Sequence, residues 1–143
     1  MRERIKVVLD SNEILFGLSS GKPYPKVIID NLNALGKIHD FFINGQIFEE
    51  VSRNLPFGSK EKFRRLVGLG ILKLSDSKIG KGIIAKYERL GLKKGDIAIA
   101  AFADRINAQF LLSENRHFLK EVKIRKFKIL TAEQFFSKIA EIS

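Results

Sequence analysis

The sequence predicts an α/β fold of three layers, a mostly parallel central sheet between two layers of helices. Three observations predict it. Strand-like and helix-like segments alternate along the chain, the pattern of parallel strands joined by helical crossovers. The strand candidates, such as "VVL" ahead of Asp10 and "FLL" ahead of Ser113, are consecutive apolar residues, which suits strands covered on both faces. "DIAIAAFADRIN", from Asp96, is strongly helical and Ala-rich, so it can lie close against a sheet. With 143 residues, 45% of them apolar, one compact core is affordable, and one domain over 1–143 is expected.

Each element follows from local chemistry. "IKVVL" from Ile5 reads as the first strand, and Asn12 to Leu18 as a short helix that "SSGKPYP" breaks with Gly and two prolines. Ile28, Ile29, Leu32 and Leu35 form one apolar stripe, which predicts a helix from Lys26 to Leu35 stopped by Gly36. "IHDFFI" (Ile38 to Ile43) is the next strand, and Asn44 caps the helix "QIFEEVSRNL", which ends before Pro56. Ser59 starts the helix "SKEKFRRLVGLG", followed by the strand "ILKL" and a helix near Gly82 to Leu90. "KKGD" introduces the Ala-rich helix. "QFLLS" is then a strand, "NRHFLKEV" a short helix, "FKIL" a strand, and "TAEQFFSKIAEI" a closing helix with Thr131 as its cap. No internal repeat, low-complexity segment or interdomain linker interrupts the pattern.

Composition narrows the function. Cysteine is absent, so a disulfide framework and a thiolate zinc site are both excluded; a metal would be held by oxygen or by His39 and His117. No signal-peptide pattern opens the sequence and no apolar stretch approaches bilayer length, which leads to the expectation of a soluble, cytoplasmic protein away from membranes. Lys and Arg total 26 against 16 Asp and Glu, a formal charge of +10, which favours polyanionic partners.

The strand ends carry the chemistry. A strand buried on both faces that runs into Asp10 would bury a charge costing several kcal/mol if nothing offset it. In open parallel sheets the ligand crevice lies beyond the carboxyl ends of the strands, at the point where strand order reverses. Asp10 ends the first strand and Asn115 follows "FLLS". Asp96 stands in the first turn of the Ala-rich helix, where amides and the helix dipole favour a carboxylate, and Glu49 and Glu50 sit on the helix after "IHDFFI".

"VVLDSN", "FEEVSRNL", "KKGDIAIAAFAD" and "LLSENRHFL" follow one another in the order and approximate spacing of the PIN domain, the ribonuclease fold of VapC-type toxins, and the resemblance spans the chain from Val7 to the last helix. It implies acids gathered at one end of a parallel sheet that bind Mg²⁺ or Mn²⁺ and cut RNA, leaving a 5′-phosphate and a 3′-hydroxyl. Matched position by position, Asp10 is the first acid, Asn12 the polar residue two further on, Glu50 the second acid and Asp96 the third. Asn115 falls where the family has aspartate or asparagine, with Ser113 at the hydroxyl position. As an amide, Asn115 can ligate through its carbonyl with one negative charge fewer. Homodimerisation and a small inhibitory antitoxin partner are implied by the resemblance alone.

Each candidate has a plainer reading beside it. "DSN" is good helix-capping chemistry, and Gly-Asp before a helix is ordinary. Glu49 and Glu50 differ by about 100° around a helix. Glu49, opposite the Ile47, Val51 and Leu55 stripe, suits an ion pair with Arg53, which leaves Glu50 for the pocket. Asp104 is about 12 Å along the helix from Asp96, so a solvated or water-mediated role is expected of it. Glu114 reads as an exposed loop acid able to approach a metal through water. Arg116 is a candidate phosphate contact, while His117 beside Phe118 reads as a surface or partly packed side chain. "KEVKIRKFK" and "KEKFRR" suit an RNA backbone, although charge runs are usually solvated faces. The twelve phenylalanines belong to the core and a dimer patch.

The expectation is a metal-dependent endoribonuclease, the toxin of a toxin-antitoxin pair. A PIN-like module that binds RNA or a protein without cleaving is the alternative, to which Asn115 points. A receiver-like signalling domain also gathers acids at strand ends, but "IHDFFING" puts its Asp inside the strand.

Overall fold

The computed structural model describes residues 4–76, 78–115, 118, 119 and 124–142. Its centre is a five-stranded sheet in the order β3-β2-β1-β4-β5, built from β1 (Lys6–Leu9), β2 (Asp40–Ile43), β3 (Leu72–Leu74), β4 (Phe110–Leu112) and β5 (Lys128–Leu130). All four strand pairings are parallel. Helices flank the sheet: α1 (Ser11–Leu15), α2 (Pro23–Asp30), α3 (Leu32–Leu35), α4 (Gly45–Asn54), α5 (Phe57–Gly68), α6 (Lys81–Arg89), α7 (Lys94–Arg105) and α8 (Ala132–Ile142). The chain steps outward from β1 through β2 to β3, then returns to the other side of β1 for β4 and β5. Strand order therefore reverses between β1 and β4, and the crevice of such a sheet opens there.

The core explains the apolar runs. Val7, Val8, Leu9, Leu111 and Leu112 are fully buried because helices cover both faces of the central strands. Ala100, Ala101, Phe102 and Ala103 of α7 are equally buried. From α8, Phe135 packs edge-on against Phe41 of β2 and Phe110 of β4, with ring centroids 6.2 and 5.9 Å apart.

Local capping matches the sequence in two places. Asn44 Oδ1 accepts from the Ile47 amide at 2.9 Å at the start of α4. Thr131 and Gln134 form a reciprocal capping box at α8, each side chain accepting from the other's amide. Four boundaries differ. Pro23 and Pro25 open α2 instead of breaking a helix, because the first-turn amides that proline lacks have no intrahelical partner anyway. The stripe through Leu35 is split at Asn31, whose Nδ2 bonds back to the Val27 carbonyl at 2.7 Å. The helix α5 begins at Phe57, two residues before Ser59. The first helix also ends early: beyond Leu15 the chain winds into a π-helical turn, Phe16–Ser20. Of the short helix expected in "NRHFLKEV", Phe118 and Leu119 are helical and most of the rest lies outside the described residues. Among the described residues, no helix is long and apolar enough to cross a membrane.

Candidate active site

β1 and β4 run in register, Leu9 opposite Leu112, so Asp10 and Ser113 are the next pair beyond the last rung. The Asp10 amide continues the ladder by donating to the Leu112 carbonyl at 2.9 Å, and the Ser113 amide donates to Leu130 at 2.9 Å. Both side chains then meet across the strand boundary. Ser113 Oγ donates to Asp10 Oδ2 at 2.8 Å, and the Ser11 amide donates to Asp10 Oδ1, also at 2.8 Å. Asp10 thus caps α1 with one oxygen and holds the crevice floor with the other; the capping explanation accounts for only half of the carboxylate.

Asp10 is 5% exposed and Ser113 fully buried. Burial pushes the Asp10 pKa up to about 6, against the bonds from Ser113 and Ser11, and the charges of Asp96 and Glu50 raise it further. Those two acids therefore share an electrostatic neighbourhood with Asp10, although they come from α7 and α4. Asp96 is half-buried in the first turn of α7. On α4, Glu50 is half-buried while Glu49 is exposed, as their angular separation requires. The expected ion pair from Glu49 to Arg53 is not formed among the described residues.

Around this group the polar residues lock the loop after β4 to α1. Asn12 Oδ1 accepts from the Glu114 amide at 3.2 Å, and the Asn115 amide donates to Ser113 Oγ at 3.1 Å. Asn115 is half-buried. Glu114 is not an exposed loop acid. It is half-buried, and its Oε2 accepts from the Ala132 amide at 2.9 Å, at the start of α8.

Asp104 corrects the expectation of a solvated acid. It is 3% exposed and accepts from Tyr87 Oη at 2.7 Å, Lys126 Nζ at 2.7 Å and Lys86 Nζ at 3.0 Å. Burial alone would raise its pKa, but the bonds from Lys126, Tyr87 and Lys86 prevail and hold it below the usual carboxylate range. It belongs to the last turn of α7, at the amino end of the sheet. His39 is also at that end: it precedes β2, and its Nδ1 accepts from the Ile5 amide at 3.3 Å. It stands apart from the acids. Arg116 and His117 lie outside the described residues.

One acid escaped the sequence reading. Glu13, one helical turn after Asp10, is 1% exposed, and neither of its oxygens meets a donor among the described residues. Burial, then the neighbouring Glu114 carboxyl and the Asp10 charge, push its pKa up to about 10. Protonated, Glu13 can itself donate towards Glu114, and its shortage of donors is relieved in part. The signal was available: an acid three residues after Asp10 in an otherwise apolar helical run.

In chemical kind the donors suit a hard divalent cation, being oxygens throughout. Among the described residues, however, no three acidic or imidazole side chains are placed to hold one metal ion.

The parallel five-stranded sheet, with this crevice at its reversal point, is a PIN-like fold. It is similar to a chain in the crystal structure of VapBC2 from Rickettsia felis bound to a DNA fragment from their promoter, with a TM-score of 0.60 over 87% of this chain and 97% of that one. Identity is 17%, so the likeness is one of fold. No family model matches the chain, and no curated protein matches it in sequence.

Proposed function

We propose that the chain is a divalent-metal-dependent endoribonuclease that cleaves RNA phosphodiester bonds at the acidic crevice, as the toxin of a toxin-antitoxin pair. Asp10 carries the proposal: a carboxylate buried at the strand-order reversal, gripped by Ser113 and Ser11, with Glu50 and Asp96 contributing to its field. Ser113 and Ser11 fix the Asp10 oxygens in direction. Asp96 sits where the α7 dipole favours an anion, and Asn115 offers a neutral carbonyl. Asp10, Glu50, Asp96 and Asn115 would hold the ion, Mg²⁺ or Mn²⁺, with Asn12 and Ser113 supporting. When bound, it supplies an acidified water and charge stabilisation at the phosphate. The likeness to a chain of a VapBC2 assembly supports an antitoxin partner, and a homodimer is the assembly we expect.

The test is cleavage of RNA by the purified chain with Mg²⁺ or Mn²⁺, alongside Asp10→Asn and Asp96→Asn. Cleavage should fall to background in each variant. A parent that cuts nothing and behaves identically to both variants ends the proposal.

A second reading, a PIN-like module that binds RNA or a protein without cleaving, is favoured by the amide at Asn115, which brings one negative charge fewer to the group. Calorimetric titration separates the two: absence of binding at millimolar Mn²⁺ supports the module.

A further inference from the structure

We propose that the cleft between α6 and residues 124–126 is a second anion site, taking a nucleotide of an RNA strand at the end of the sheet opposite the acids. The cleft has a volume of about 590 Å³ and is lined by Lys86, Arg89, Leu90, Ile124, Arg125 and Lys126. Two of its four cations, Lys86 and Lys126, bond to Asp104, which is buried and also accepts from Tyr87. The two lysines are thereby held in place at the rim, one from α6 and one from the approach to β5. Arg89 and Arg125 are exposed, and among the described residues neither guanidinium has an acidic partner. Such groups favour bidentate contact with phosphate oxygens.

Two further features select a nucleotide strand over a bare phosphate. Leu90 and Ile124 give the cleft apolar wall, against which a base or ribose can pack. A second depression, of about 370 Å³, shares Arg125 and Lys126 and continues along the edge strand past Lys128 and Lys138. Cations therefore line a path longer than one phosphate, as a strand requires. The formal charge of +10 supplies the same preference at long range.

The inference rests on RNA being the chain's ligand, as proposed above, but not on its cleavage. Binding is therefore read without chemistry: Asp10→Asn protein in chelator, a fluorescein-labelled single-stranded RNA, and anisotropy over a series of salt concentrations. Arg89→Gln with Arg125→Gln should weaken binding at least about fivefold and reduce the slope of log K against log salt by about 1.4, about 0.7 for each lost phosphate contact. Lys37→Gln with Lys78→Gln, both exposed and outside the cleft, removes the same charge elsewhere and should change affinity less than about twofold on the same scale. Unchanged affinity and slope in the cleft variant overturn this inference and leave the nuclease reading standing. An equal loss in the Lys37 and Lys78 pair, or displacement of RNA by polyglutamate at matched charge, overturns it as well, because the effect would then be unspecific charge. RNA binding by none of the proteins overturns both readings together.

Discussion

Glu13 makes the alkaline stability of this protein depend on one proton. Burial, Glu114 and Asp10 raise its folded-state pKa from 4.5 to about 10, so at neutral pH the folded chain holds a proton that the unfolded chain releases. The associated stability is complete below pH 4.5 and drains as pH rises through about 10, at roughly 1.4 kcal/mol per pH unit. Asp10 acts with the same sign over a narrower window, from 3.8 to about 6. Glu13→Gln keeps the shape and removes the titration. Urea unfolding at pH 6 and pH 9 should show the parent losing markedly more stability than Glu13→Gln between the two. An identical loss in both proteins would mean that the Glu13 carboxyl is ionised in the fold.

Among the elements, the passage from α1 through the π-helical turn to α2 depends on a close approach. A Cβ on Gly17 would lie 2.3 Å from Ile29 Cγ1 and 2.8 Å from the Pro25 carbonyl oxygen, and the second of these is backbone that cannot swing aside. Gly17→Ala should therefore destabilise the fold by about 1–3 kcal/mol, the usual range for overpacking, instead of gaining the small stabilisation expected of alanine in an open helix. Thermal melting reads the difference; an unchanged or raised midpoint would show that α2 can retreat.

For the whole molecule, Asp104 ties α6, α7 and the approach to β5 into one unit. Its carboxylate accepts from the Tyr87 hydroxyl, and Tyr87 is fully buried. Asp104→Ala leaves that hydroxyl without an acceptor, at a cost of about 1–3 kcal/mol, while the half-exposed Lys86 and Lys126 turn to water at little expense. A lowered denaturation midpoint with metal binding at the far end unchanged is the expected result. Loss of metal binding in Asp104→Ala would instead place this acid in the candidate site. The molecule is polar along its strands: Asp10, Glu50 and Asp96 gather at the carboxyl ends, and the cation-lined cleft opens at the amino ends.

What the sequence determined by itself was the order and kind of the elements. Runs such as Val7–Leu9, the caps at Asn44 and Thr131, and the alternation of periods are local signals, and a parallel sheet with acids at its strand ends follows from them. The face of Glu50 was legible too, from its angle to the Ile47 and Val51 stripe. Only the tertiary structure decided that Glu13 is buried without a donor and that Asp104 is an anchor at the far end. Each of those depends on neighbours brought from distant parts of the chain. Desolvation and charge pairing are properties of the assembled surroundings, whereas propensity and periodicity belong to the segment itself.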